Sequence, residues 1–341
     1  MKKERRFKRF AHKTLISAVL AALTVSLLIS AFLLLPGCTT NAGSGKIHVL
    51  ATVFPLYDWT REVAKGVEGV EIGLLADNGA DIHSYVPGVS DIAAISSCDI
   101  IVYTGGESDA WVRDAVAKVP ADGKKPVEIV ISAVPGVTLL DEEIREGMEV
   151  PAEEHAHGDE EEFDEHLWLS FGNAKAAVNA IASALSEADP GNAEKYSSNA
   201  EAYKGALEAL KGKYADTVAA ADTKVLFFGD RFPFLYLTRE FGLDYYAPFT
   251  GCSAETEVSP ATIVFLKEKA AELGISKVIV LPGSSRKIAD TVMSETAHAG
   301  DYTLLTLDPM QQAPAKDAEN ATYLAVMDAN LKVIAEALKK N

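Results

Sequence analysis

Residues 192–221 read NAEKYSSNAEAYKGALEALKGKYADTVAAA. Asp189-Pro190 introduces the run, no proline interrupts it, and Ala, Glu, Lys and Tyr dominate. That composition predicts one helix of about 30 residues, or about 45 Å at 1.5 Å per residue. Gly205 and Gly212 weaken it a little. A helix this long is a stiff connector, where a Gly/Ser-rich segment would be a flexible one. On both sides of it, short β-rich runs alternate with longer helical ones, the pattern of parallel sheets with crossover helices. Before it, strands are predicted at 47–53, 70–75, 99–104 and 127–131, with helices at 56–66, 88–97 and 108–118. After it, strands are predicted at 224–228, 243–247, 277–281 and 302–307, with helices at 232–241, 259–273 and 286–297. The expected fold class is therefore α/β: two lobes, each a mostly parallel four-stranded sheet with flanking helices, joined by a long rigid helix.

The chain opens on Lys2, Lys3, Arg5, Arg6, Lys8 and Arg9, continues through an almost wholly apolar stretch at 14–35, and reaches Leu33-Leu34-Leu35-Pro36-Gly37-Cys38. This looks like a bacterial lipobox, with Gly37 small enough for cleavage before Cys38. In bacterial lipoproteins that cysteine carries the lipid, so the resemblance implies a signal peptide at 1–37 and a lipid-anchored tether at 38–46. The apolar run is also long enough to span a bilayer, which leaves an uncleaved anchor helix as the alternative. Either way, the rest lies on the extracytoplasmic side of the cell membrane. It divides into an N-terminal lobe at 47–171, a helical linker at 172–221 and a C-terminal lobe at 222–341.

A net charge of -17 and a pI near 4.9 argue against nucleic acid and against adsorption to an anionic membrane surface. The same acidity suits a collector of cations. Apart from Cys38 the only cysteines are Cys98 and Cys252, so no disulfide framework supports the fold. Cys98 precedes a strand and Cys252 follows one, which places them at opposite ends of their sheets and predicts two free thiols. Cys98 should be a buried apolar thiol, and Cys252 either a core residue or a neighbour of a metal. The segment at 153–165, EEHAHGDEEEFDE, is too charged to bury apolar area and reads as a loop. His155 and His157 within it could hold a divalent cation loosely, or simply be solvated.

Ligands of parallel α/β sheets sit beyond the carboxyl ends of the strands. His83, in DIHSYVP at 81–87, follows the second strand, and His166, in DEHLWLS at 164–170, follows the fourth after the acidic loop. Asp230 and Asp308 follow the first and fourth strands of the second lobe. Two imidazoles and two carboxylates facing one cleft suit Zn²⁺, and equally Mn²⁺ if the carboxylates supply more oxygens. Each residue has a structural alternative: His83 a loop histidine bonded to backbone, Asp230 a helix cap beside Arg231, and Asp308 a turn former before Pro309. Glu255 and Glu257 could help bind metal or cap the helix near Pro260. His12, His48 and His298 are not favoured as ligands.

The chain resembles the zinc- and manganese-specific solute-binding lipoproteins of bacterial ABC importers. The resemblance rests on TVFPL at 52–56, DIHSYVP, YTGGE at 103–107 and DEHLWLS, and an acidic, histidine-rich insertion before the second histidine is common in zinc-binding members. It implies a metal clasped between lobes by two histidines, a third His or Glu, and an Asp or other group, with His83, His166 and Asp308 at matching positions. At the third position this chain carries Gly229. Asp230 shifted by one residue, Glu255, or a water could complete the site. Zn²⁺ is the expected cargo, with Mn²⁺ second. The resemblance implies capture of that metal outside the membrane by a monomer and delivery to an ABC permease, with no catalysis. A metallohydrolase with Glu255 as general base, or a surface adhesin, are the alternatives.

Overall fold

A computed structural model describes residues 45–77, 79–121, 123–149, 163–253, 257–294, 296–312 and 321–340. The leader with Cys38, loop residues His155 and His157, and Glu255 lie outside the described residues. Strands β1 (Ile47–Ala51), β2 (Val70–Leu74), β3 (Ile100–Tyr103) and β4 (Val127–Val130) form a parallel sheet in the order β2-β1-β3-β4. Every residue of β3, Ile-Ile-Val-Tyr, is buried, as a strand covered on both faces requires. Helices α1 (Phe54–Val63), α2 (Val89–Ile95) and α3 (Ala110–Ala117) provide the crossovers. Proline in the first turn of α1 stands where a backbone N–H has no helical partner anyway.

The second sheet joins β5 (Val225–Phe227) to β7 (Asp244–Tyr246) and β9 (Lys277–Val280) to β10 (Thr303–Thr306), all parallel. A parallel bridge between Phe228 and Ile279 links the two pairs in the order β7-β5-β9-β10. The four strands thus fall where the sequence places them. One feature is new: β6 (Arg231–Phe232) pairs with β8 (Phe249–Thr250) in a short parallel ribbon. It takes the first residues of the helix expected at 232–241, because Pro233 biases Phe232 toward extended backbone. Helix α6 begins only at Leu235 (Leu235–Phe241).

Helices α4 (Phe171–Ala188) and α5 (Ala193–Ala219) pack side by side, joined by a turn at Pro190–Asn192. The long connector, α5, is 27 residues, about 40 Å. Its buried side is Tyr196, Ala200, Tyr203, Leu207, Leu210, Tyr214 and Val218, a stripe at spacings of three and four. Each leucine so buried contributes on the order of 1.5–3 kcal/mol. Tyr196 and Tyr214 satisfy their hydroxyls on Asp189 Oδ2 at 3.0 Å and the Met327 carbonyl at 2.6 Å. Gly205 and Gly212 face open space, so their small size costs α5 only helix propensity. Helices α7 (Pro260–Leu273), α8 (Lys287–Met293) and α9 (Tyr323–Ala337) complete the elements, and α9 packs on α5 and α1.

Residues 46–341 form one unit, and its main apolar core runs from Val49 of β1 to Leu338 after α9, through both sheets' surroundings. A strap at 134–149 leaves β4 and crosses to the second sheet. Arg145 pairs with Asp244 and donates to the Tyr245 carbonyl at 3.0 Å, Arg239 pairs with Glu143 at 2.7 Å, and Glu149 N donates to the Pro248 carbonyl at 2.8 Å.

Candidate metal centre

His83 lies on a 3₁₀ turn, Ile82–Ser84, just after β2, where Asp81 Oδ1 accepts its backbone N–H at 3.1 Å. An aspartate that bonds the backbone two residues on is the usual way to make such a turn. The same device recurs at the second histidine: Asp164 Oδ1 accepts the His166 N–H at 2.8 Å and its Nδ1 at 3.0 Å. The next three residues, Leu167, Trp168 and Leu169, are wholly buried, and Trp168 Nε1 donates to the Pro309 carbonyl at 2.8 Å. His166 is therefore held from both ends of its segment and is itself fully buried.

Glu165 performs for His83 what Asp164 does for His166. Its Oε2 lies 3.3 Å from His83 Nδ1 and bonds the Ser108 hydroxyl, while Oε1 accepts Ser108 N at 2.7 Å; Ser108 Oγ is 2.9 Å from the same imidazole nitrogen. Two glycines in YTGGE make room for this. A Cβ on Gly106 would stand 2.0 Å from Glu165 Oε1, and Gly105 has φ +91°. Burial opposes ionisation of Glu165, but His83 and the Ser108 bonds outweigh it and hold the carboxyl below its ordinary range. Burial likewise opposes protonation of His166, yet the Asp164 charge and hydrogen bond, with Glu165 and Gln311, hold its pKa above the ordinary imidazole value.

Each Nδ1 is turned to a carboxylate or hydroxyl, and the two Nε2 atoms face one another at 3.1 Å; in the neutral tautomers that donate through Nδ1, both Nε2 atoms would carry lone pairs. Two lone pairs that close repel unless a cation lies between them. In a tetrahedral zinc site, Zn–N bonds of 2.0–2.1 Å put two nitrogens about 3.3 Å apart. The observed pair is within a few tenths of an ångström of that. Cys252 Sγ completes a group whose ligand atoms all lie within 4.8 Å of one another, the only such His, Cys or acidic cluster among the described residues. Burial pushes the Cys252 thiol well above its usual pKa, helped by the charges of Asp164, Glu142 and Glu165. Gly251 allows its loop to approach, since a Cβ there would meet the Phe232 carbonyl at 2.9 Å and His166 at 3.2 Å. Finally, Gln311 Oε1 stands 3.1 Å from His166 Nε2.

The expected carboxylates are not part of this group. Asp230 accepts Arg231 N at 2.8 Å through Oδ1 and Leu281 N at 3.0 Å through Oδ2, so it ties the end of β5 to the end of β9. Asp308 Oδ1 accepts Met310 N at 2.8 Å, and burial pushes its carboxyl up. It is the turn former: Met310 takes φ +58°, and the chain reverses so that Gln311, three residues on, reaches His166. Gly229 has no room for a ligand, because a Cβ there would lie 2.8 Å from that of Ala289. Cys252 holds the place that the sequence reading left open between core and metal. Gln311 was missed, because a neutral amide carries no signal in a search for titratable ligands. Cys98 sits apart, buried beside Ile95 and Ile101, and both thiols are free.

The family described as ZnuA, zinc-uptake complex component A, periplasmic, matches residues 49–337. The chain belongs to that family. It is 30% identical over 316 residues to the high-affinity zinc uptake system protein ZnuA of Bacillus subtilis, covering 90% of this chain and 94% of the relative. Identity is also 30% to the zinc-binding lipoprotein AdcA of Streptococcus pneumoniae, of which the match spans 60%. The Zn(II)-bound ZnuA-like domain of that AdcA superposes with a TM-score of 0.67 at 28% identity, over 86% of this chain and 99% of the domain. The Zn(II)-bound domain shares the α/β fold derived above, and the two named relatives are a zinc uptake system protein and a zinc-binding lipoprotein.

Proposed function

We propose that this chain captures one zinc ion outside the membrane and hands it to an ABC permease, with no chemistry on the ion itself. His83, His166, Cys252 and Gln311 are its ligands in this reading, Cys38 carries the lipid that anchors the chain, and it works as a monomer. The observation that carries the reading is the convergence of two Nε2 atoms at 3.1 Å, each imidazole fixed from its far side. The family membership supports it. Two imidazoles, one thiolate and one amide oxygen form a soft, four-donor set that favours Zn²⁺ over Mn²⁺, which wants oxygen. A shell filled by four protein groups also supports carriage over hydrolysis, since catalytic zinc keeps a position open. Competitive titration of metal-free protein tests it: Zn²⁺ should win by at least about tenfold. A preference of that size for Mn²⁺ would overturn the reading.

A further inference from the structure

Behind the four donors lies an ion pair between the two lobes. Asp81 Oδ2 receives Arg231 Nη2 and Gln311 Nε2, each at 2.6 Å, while Asp81 Oδ1 accepts the backbone N–H of His83 at 3.1 Å. Arg231 Nη1 donates to the Ser253 carbonyl at 3.1 Å, one residue beyond Cys252. The same segments are stitched by backbone: Ile82 N donates to the Gln311 carbonyl at 3.3 Å, and Asp81 bridges to Gln312. One ion pair is thus bonded to the His83 turn, the Gln311 side chain and the Cys252 segment. It also decides which end of the Gln311 amide faces the imidazoles. An ionised carboxylate can only accept, so Nε2 must turn to Asp81, and Oε1 is left toward His166. Arg231 comes from the β6–β8 ribbon of the second lobe and Asp81 from the loop after β2 in the first. Arg231 and Gln311 line a solvent-open cleft together with Gln312, Gly283 and Asp308. The pair is partly exposed, with 19% of the Arg231 side chain and 12% of the Asp81 side chain open to solvent.

We propose that Asp81 and Arg231 are positioning residues that hold the Gln311 oxygen on the metal and set the rate at which the metal leaves. Opening the pair frees the amide to rotate and loosens the Cys252 segment in the same step, so two donors weaken together. The inference rests on the zinc-carrier reading above. It is tested on the full chain loaded with zinc and chased with an excess of chromogenic chelator. Asp81→Asn and Arg231→Gln should each release zinc about 10–100-fold faster, the usual effect of losing a group that orients a ligand. The double variant should be no faster than the faster single one, because the two act as a unit. Gln311→Leu, which keeps the ion pair but removes the oxygen, should match them. With Co²⁺ in place of zinc, Asp81→Asn should shift the visible d–d bands and retain the thiolate-to-cobalt band, a signature that mere loss of stability would not produce. If Arg231→Gln does not fold, Asp81→Asn and Gln311→Leu carry the comparison. Unchanged release from variants that still load zinc, or rates that multiply in the double variant, would overturn the latch while leaving the carrier intact. Failure of the wild type to take up zinc at all would overturn both.

Discussion

In the proposed site, His83 and His166 each supply one nitrogen. His83→Ala or His166→Ala should therefore abolish tight zinc binding while leaving the apolar core untouched, measured as zinc retained through gel filtration against a chelator. Cys252→Ser should cost at least about a hundredfold in affinity, beyond what loss of an orienting group causes. Stoichiometric zinc in any of the three would place the site elsewhere. Both histidines are legible from their places after strands and from the motifs DIHSYVP and DEHLWLS, and the structure brings them together. The sequence points to Asp308 by its place after a strand and its family match, and does not point to Gln311; the left-handed backbone at Met310, which turns the chain so that Gln311 reaches His166, leaves no mark on residue type. Asp109 offers a test independent of metal. Burial, then the charge of Glu165, push its carboxyl up to about 7, against hydrogen bonds from Thr104 N, Gly105 N and Thr52. The folded state keeps a proton that the unfolded chain, near 3.8, has already lost. Stability from this group is therefore highest below about pH 4 and declines as pH rises toward 7. Asp109→Asn removes that decline, so the difference in unfolding free energy should move in the variant's favour between pH 5 and pH 7. A difference that stays constant with pH would contradict it.

Short elements deliver the ligands, and the fit at their ends is tight. Gly106→Ala would drive a methyl group into Glu165 Oε1, displacing the carboxylate that fixes His83. The expected cost is about 1–3 kcal/mol of stability from overpacking. Zinc affinity should fall about 10–100-fold as His83 loses its orienting partner. Chemical denaturation and a zinc competition assay measure the two effects, and a variant unchanged in both would refute the role given to Glu165. Long elements were the readable ones. The proline-free, Ala-, Glu- and Lys-rich composition of α5 marked a long helix, the short apolar run of β3 marked a strand, and both stand where the sequence places them. The β6–β8 ribbon was not readable, since two-residue strands are shorter than any pattern. Yet Pro233, in plain view, was the residue that stopped the helix.

At the scale of the whole molecule, the two sheets are joined by more than a connecting helix. The core runs through both, and the strap at 134–149 binds the second sheet by ion pairs and backbone bonds. None of that was legible, because long-range pairing of charged residues such as Arg145 with Asp244 has no local signature. Such an arrangement argues for release by local movement of ligand loops, with the lobes largely staying in place. It also puts the proposed metal site where the lobes meet: His83 and His166 come from the first, Cys252 and Gln311 from the second. Zinc K-edge X-ray absorption on the loaded protein tests that directly. The account predicts one sulfur at about 2.3 Å together with nitrogen and oxygen neighbours at about 2.0–2.1 Å. A shell of nitrogen and oxygen with no sulfur would remove Cys252 from the metal and contradict it.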